Sequence, residues 1–213
     1  MPLHHPDESL LIEYAAGSLG EAKALLVATH LALCPSCRAA VASGEVVGAV
    51  LAFSESEAAV GPAPDPADRP VERPQSAVMP PPLSPVPEPL RSYLGRPVSD
   101  LRWSSAWPGM RAYALPEFAG RARVRLLSIR PGRAMPRHTH RGQELTLVLQ
   151  GSFSDATGAY AKGDVATADP SVDHQPRADA SSECLCLAVE DAPLRVSDWL
   201  GALRDAVRSV RAR

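Results

Sequence analysis

One run constrains this chain more than any other. From Gly132 to Gly151 the residues follow G-x5-H-x-H-x3-E-x6-G, with His138, His140 and Glu144 as the polar members. Residues i and i+2 of a strand share a face, so His138 and His140 point the same way. Glu144 returns toward them after a short turn and opens an apolar strand. His174, eleven residues after Gly163, is placed to join them from a neighbouring strand. Three imidazoles and one carboxylate suit zinc, iron, manganese or nickel, and ligand type alone does not choose among these. The plainer alternative puts His138 and His140 on the surface beside Arg137 and Arg141; the spacing argues against it.

The surrounding pattern has period two. Segments 111–115, 121–129, 145–149, 165–168 and 184–189 read as strands, punctuated by Gly132, Gly142, Gly151, Gly158 and Gly163. Short strands between regular glycine turns indicate an antiparallel sandwich or barrel. Cys184 and Cys186 alternate on one strand and face the same side, a spacing poorly suited to an unstrained disulfide. They are either small buried hydrophobes or a thiol pair that responds to oxidants.

The first 60 residues read as helices. Leu10, Leu11, Tyr14 and Ala15 form a short stripe that stops near Gly17. Ser18-x-x-Glu21 has the form of a capping box that starts a second helix, which runs to about Cys34 with Ala24, Val27 and Leu31 on one face. Pro35 suits the first turn of a third helix. Residues 39–53 of that helix carry a single charge, Glu45. A surface helix needs a polar face, and so small a unit cannot cover this much apolar surface by itself. The helix belongs in a dimer interface or against another protein, and the partner is the favoured reading. His30, Cys34 and Cys37 stand at i, i+4 and i+7, one helix face. Thiolate with imidazole favours tetrahedral zinc. His5, or less well His4, reaches back to complete a His2Cys2 set.

Twelve prolines between Gly61 and Pro97 forbid helix or central strand there and read as an extended linker. The expected organisation is α+β and multidomain. A small all-α zinc-binding domain (1–60) and a linker (61–97) precede an all-β, jelly-roll-like barrel (98–196) and a C-terminal helix (197–213). The helical part holds seven acids against Lys23 and Arg38, a net −5 within a chain of net −2. That balance argues against direct nucleic-acid binding and suits a basic protein partner. No uninterrupted apolar run of membrane-spanning length is evident, and the first residues do not resemble a signal peptide. The expectation is a cytoplasmic chain whose four cysteines bind metal or do redox chemistry.

The Gly132–Gly151 spacing resembles the first signature of the cupin family. The second signature is matched at Gly163 and His174, while Pro170 falls one place late, Ser171 replaces a glycine and Ala178 stands for an asparagine. The resemblance implies a cupin barrel with His138, His140, Glu144 and His174 as ligands of zinc or another divalent metal. The H-x3-C-x2-C element resembles the zinc-binding anti-sigma domain. Together with Tyr14-Ala-Ala-Gly17, Val27-Ala-Thr-His30-Leu, Cys184-Leu-Cys186-Leu-Ala and Asp191-Ala-Pro-Leu-Arg195, it makes nearly the whole chain similar to the ChrR-type anti-sigma factors. That resemblance implies inhibition of an extracytoplasmic-function (ECF) sigma factor in a 1:1 complex. It also implies release on a signal such as singlet oxygen, with the helical domain sufficient to bind sigma and the cupin needed to respond. The alternative is a metal-dependent cupin enzyme, a dioxygenase or isomerase, since four protein ligands leave open positions on an octahedral metal.

Overall fold

The computed structural model describes residues 1–54 and 86–197. The expected C-terminal helix, Ser197 apart, and most of the 61–97 segment lie outside them. Helices α1 (Glu8–Ala15), α2 (Glu21–Leu31) and α3 (Pro35–Ser54) come first. Gly17, at φ 68°, ends the first of these by taking a left-handed conformation that only glycine adopts at no cost. The capping box does not form. Gly20 is the N-cap of α2, and the Ser18 hydroxyl donates instead to the Glu13 carbonyl at 3.2 Å. The second helix also ends early, at Leu31, so His30, Cys34 and Cys37 straddle the α2–α3 turn rather than sharing one helix face.

Helix α4 (Glu88–Leu94) corrects the reading of 61–97 as free of helix. Pro89 sits in its first turn, where the missing N–H costs nothing, and Gly95 closes it in the left-handed conformation. Val86, Leu90 and Leu94 are buried, so the end of the proline-rich segment is part of the core.

The strands are β1 (Ser104–Trp107), β2 (Met110–Ala114), β3 (Arg123–Ile129), β4 (His138–Thr139), β5 (Glu144–Gln150) and β6 (Ser152–Ser154). They continue as β7 (Ala159–Ala161), β8 (Val165–Ala168), β9 (Asp173–His174), β10 (Arg177–Ala178), β11 (Cys184–Glu190) and β12 (Arg195–Val196). A six-stranded sheet in the order β1-β2-β3-β11-β5-β8 faces two three-stranded sheets, β10-β6-β7 and β12-β4-β9. This is the antiparallel, jelly-roll-like cupin arrangement.

The large sheet has two buried faces. Cys184, Cys186 and Ala188 of β11 pack inward with Leu127, Ile129 and Val148. The alternate residues Leu185, Leu187 and Val189 pack outward with Leu126, Leu145 and Leu147. The outward set shares one continuous core with Leu25, Leu26 and Val27 of α2 and Leu90 of α4. Every residue of β11 is therefore buried, which explains its nearly uninterrupted apolar sequence. Leu26, Leu145, Leu147 and Leu187 have no exposed surface, and each such burial stabilises by roughly 1.5–3 kcal/mol. The ion pairs joining the modules, Lys23–Asp191 at 3.2 Å and Glu21–Arg121 at 3.3 Å, are largely solvent-exposed and contribute about 0–1 kcal/mol each. Apolar burial decides the docking of helices on barrel.

Helix α3 departs from this pattern. Beyond Val41 it is exposed on all sides, with Val46, Val50 and Phe53 exposed by 63, 63 and 81 %. By length and composition it is apolar enough to cross a membrane. Arg38 and Glu45 interrupt its apolar run, so the sequence shows no unbroken stretch of that length.

Candidate metal centres

The cupin cluster is built by strand pairing. His138 on β4 lies in register with His174 on β9, and His140 follows two residues later on the same side. The Nε2 atom of His174 is 3.0 Å from Nε2 of His138 and 3.0 Å from Nε2 of His140. All three rings are buried. The Nδ1 of His138 lies 2.8 Å from the Pro136 carbonyl; a carbonyl only accepts, so Nδ1 carries the proton. The Nδ1 of His174 lies 2.6 Å from the Asp155 carboxylate and donates to it. Both rings thus turn bare Nε2 lone pairs toward each other, an arrangement that repels unless a cation lies between them. The set fits a divalent metal on these grounds, and outward Nδ1 bonds are the usual support of histidine ligands.

Burial lowers the pKa of His138, and it lowers that of His140 to about 4, reinforced by the neighbouring rings. Both histidines are therefore neutral at physiological pH, as ligation requires. Glu144 stands off the three converging nitrogens. One carboxylate oxygen accepts the Thr146 hydroxyl and the other is 3.6 Å from His140 Nδ1, a buried nitrogen with no hydrogen-bond partner. Burial, with the charge of Glu190 next, pushes Glu144 up to about 7. Glu190 is itself buried and bonded to Arg123 and Arg125.

Cys184 and Cys186 are free thiols with sulfurs 3.5 Å apart. Cys186 lines the same small cavity as Glu144, Asp155 and His174. The hydrogen bond to Cys184 and then burial hold the Cys186 thiol well above its ordinary value, so it is an un-ionised thiol at rest.

The second cluster joins His5, His30, Cys34 and Cys37, whose donor atoms all lie within 4.8 Å of one another. His5 Nδ1 is 3.5 Å from Cys34 Sγ and 3.3 Å from Cys37 Sγ. His4 is turned away, its ring 4.7 Å from that of Tyr160. His30 donates Nδ1–H to the Gly163 carbonyl at 2.8 Å, leaving Nε2 buried and without a partner. Two thiols and two imidazoles at this separation suit tetrahedral zinc, and the orphaned Nε2 is the atom a metal would satisfy. Burial opposes ionisation of Cys34, but hydrogen bonds from Ser36 and Cys37 outweigh it and bring the thiol below its ordinary value. Burial and the adjacent Cys34 raise Cys37 to about 11.

Three supporting groups were not legible from sequence. Asp155 sits in a Ser-Asp-Ala-Thr-Gly turn where its Oδ1 accepts the Thr157 N–H at 2.7 Å, and nothing local marks its other oxygen as the partner of His174. The carbonyls of Pro136 and Gly163 leave no sequence signal at all.

The fold and these two clusters define a class: a cupin with a three-histidine centre, fused through one core to a helical module with a His2Cys2 cluster. Residues 95–193 match the family described as the ChrR cupin-like domain. The anti-sigma-E factor ChrR of Cereibacter sphaeroides is 43 % identical over 205 residues, covering 94 % of this chain and 95 % of that protein. A crystal structure of Rhodobacter sphaeroides SigE in complex with the anti-sigma factor ChrR superposes with a TM-score of 0.73. It is 41 % identical and covers 88 % of this chain and 98 % of that one. The chain belongs to the ChrR family of anti-sigma factors.

Proposed function

We propose that this chain binds an ECF sigma factor one-to-one through its helical module and releases it when an oxidant such as singlet oxygen acts on the cupin. The observation that carries the binding reading is the bare apolar surface of α3. Val46, Val47, Val50 and Phe53 are exposed, and apolar patches of this kind mark interaction sites. The relative of known structure is in complex with a sigma factor, which favours a protein over a bilayer as the cover of this helix. Zinc in the His2Cys2 cluster cross-links α2, α3 and residue 5, and a small helical unit gains folding energy from such a link.

The enzyme alternative is weaker. The cavity lined by His174, Glu144 and Asp155 measures about 30 Å3. That admits a water or a diatomic, far below the roughly 300 Å3 at which organic substrates are enclosed. A cavity this small, lined by the Cys186 thiol, suits detection of a reactive oxygen species.

The test is co-expression with the candidate sigma factor, followed by size exclusion with light scattering and a sigma-dependent reporter under a photosensitiser. The wild-type chain gives a 1:1 complex and induction in the light. Val50→Glu/Phe53→Glu loses at least tenfold in affinity with the fold intact. His138→Ala/His174→Ala still binds sigma but responds weakly. A wild-type chain that binds no sigma factor removes the function, and full binding by Val50→Glu/Phe53→Glu removes α3 from the interface.

A further inference from the structure

A single turn of the barrel grips both ends of the N-terminal metal cluster. The Asp164 carboxylate, 3 % exposed, accepts the Leu3 N–H at 2.6 Å and the His4 N–H at 3.0 Å through Oδ1, and the Ala161 N–H at 2.8 Å through Oδ2. Val165 N–H donates to the His4 carbonyl at 3.1 Å. The chain just before His5 is therefore tied to the barrel by three hydrogen bonds. The preceding residue of the same turn, Gly163, takes the Nδ1–H of His30. Gly163 has φ 94°, and a Cβ there would come 2.7 Å from Pro2 Cγ, so the close approach of Pro2 needs glycine.

The turn is rigidly mounted. Gly163 N–H donates to the Val148 carbonyl at 2.8 Å and Val148 N–H to the Asp164 carbonyl at 3.0 Å, which fixes it to β5. Among the described residues, His30 Nδ1 donates to the Gly163 carbonyl of the barrel and to no group of the helical module. The partner that sets this ring's tautomer comes from the other module.

We propose that the barrel turn 160–165 is the outer shell of the N-terminal zinc site, so that docking of the two modules helps to hold His5 and His30 in ligating position. This rests on the reading of His5, His30, Cys34 and Cys37 as zinc ligands. Asp164 and Gly163 are positioning residues. An outer-shell partner fixes ring orientation and ligand basicity, and its loss costs 10–100-fold in metal affinity. Linkage makes the effect reciprocal: zinc strengthens docking by the factor by which docking strengthens zinc. Separation of helices from barrel, by a partner or by a change inside the barrel, weakens the zinc site from outside.

The experiment uses the full chain. Cobalt(II) titration, read by thiolate-to-cobalt absorption, reports the site with Cys34 and Cys37, and zinc back-titration gives its affinity. Two variants attack the grip from opposite sides. Asp164→Ala removes the acceptor. Leu3→Pro removes the shorter hydrogen bond without altering the barrel, and loses no burial because Leu3 is 81 % exposed. Both are expected to weaken zinc by about 10–100-fold, with Asp164→Asn recovering part of the loss. Nitrogen-15 spectra of zinc-loaded wild type should show a slowly exchanging His30 Nδ1–H that exchanges faster in each variant. If Asp164→Ala fails to fold, Leu3→Pro decides. Wild-type zinc affinity and unchanged His30 exchange in Leu3→Pro overturn the proposal. A wild-type chain without thiolate-to-cobalt absorption overturns the zinc reading itself, and the grip with it.

Discussion

Replacing Asp155 with asparagine takes away one of two acceptors, and the structure uses both. Oδ2 receives the Nδ1–H of His174, while Oδ1 receives the backbone N–H and hydroxyl of Thr157. An amide has one acceptor oxygen, so either the turn or the His174 ring is left unsatisfied. The size of the loss can be bounded. Burial alone would raise Asp155, yet the bonds from His174 and Thr157 outweigh it and hold the carboxyl at about 2, from an ordinary 3.8. At about 1.36 kcal/mol per factor of ten, the net preference for the charged form that remains after burial is on the order of 2 kcal/mol. Shared between His174 and Thr157, and discounted for residual solvent, it leaves His174 on the order of 1–2 kcal/mol. The corresponding loss of cupin-site metal affinity is about 5–30-fold, overlapping the range measured for outer-shell partners generally. The assay is competition with a chromophoric chelator on the full chain, with Thr157→Val as a control that spares the His174 bond and should lose less. Unchanged affinity in Asp155→Asn would refute the claim that this carboxylate orients a ligand.

Two more predictions follow from the same geometry. In the metal-free chain His140, at about 4 against an unfolded 6.5, contributes stability that is whole above pH 6.5 and is lost as pH falls through 4. Glu144, at about 7 against 4.5, contributes stability that is whole below pH 4.5 and is lost as pH rises through 7. A bound cation cancels the second penalty, so the Tm gap between metal-loaded and metal-stripped protein should widen from about pH 6 to about pH 8; a flat gap removes Glu144 from the metal's surroundings. Leu187→Ala, beneath α2, should cost about 2–5 kcal/mol and lower one common unfolding midpoint for helices and barrel, followed by helix amide exchange and tryptophan fluorescence in urea. Separate midpoints would show that the two modules do not share a core.

What sequence made legible was whatever repeats locally. The short apolar runs 184–189 and 145–149 between turns reveal strands, and the spacing from His138 to Glu144 reveals a cluster, because local composition and short-range spacing survive in one dimension. The three-histidine convergence also needed His174 from a distant strand, which the second cupin signature supplied. The α2 boundary was misread because Ser18 and Glu21 satisfy the form of a capping box while the Glu13 carbonyl competes for the serine hydroxyl. Helix α4 was missed because Pro85, Pro87 and Pro89 read as helix breakers, although a proline in the first turn breaks nothing. The docking of helices on barrel was unreadable for a deeper reason. Leu185, Leu187 and Val189 look like core residues of any barrel strand, and sequence does not say that their cover comes from α2 and α4.

Strand β11 has a consequence for how such a chain can change over generations. Its even-numbered residues belong to the metal-bearing interior and its odd-numbered ones to the helices, so one seven-residue segment is inherited by two modules at once. A slip of a single residue would trade one lining for the other. The helical module therefore cannot be exchanged like a cassette: a donor domain would have to bring its own match for Leu185, Leu187 and Val189. Recombination between relatives should succeed only where the crossover keeps α2, α4 and β11 from the same parent.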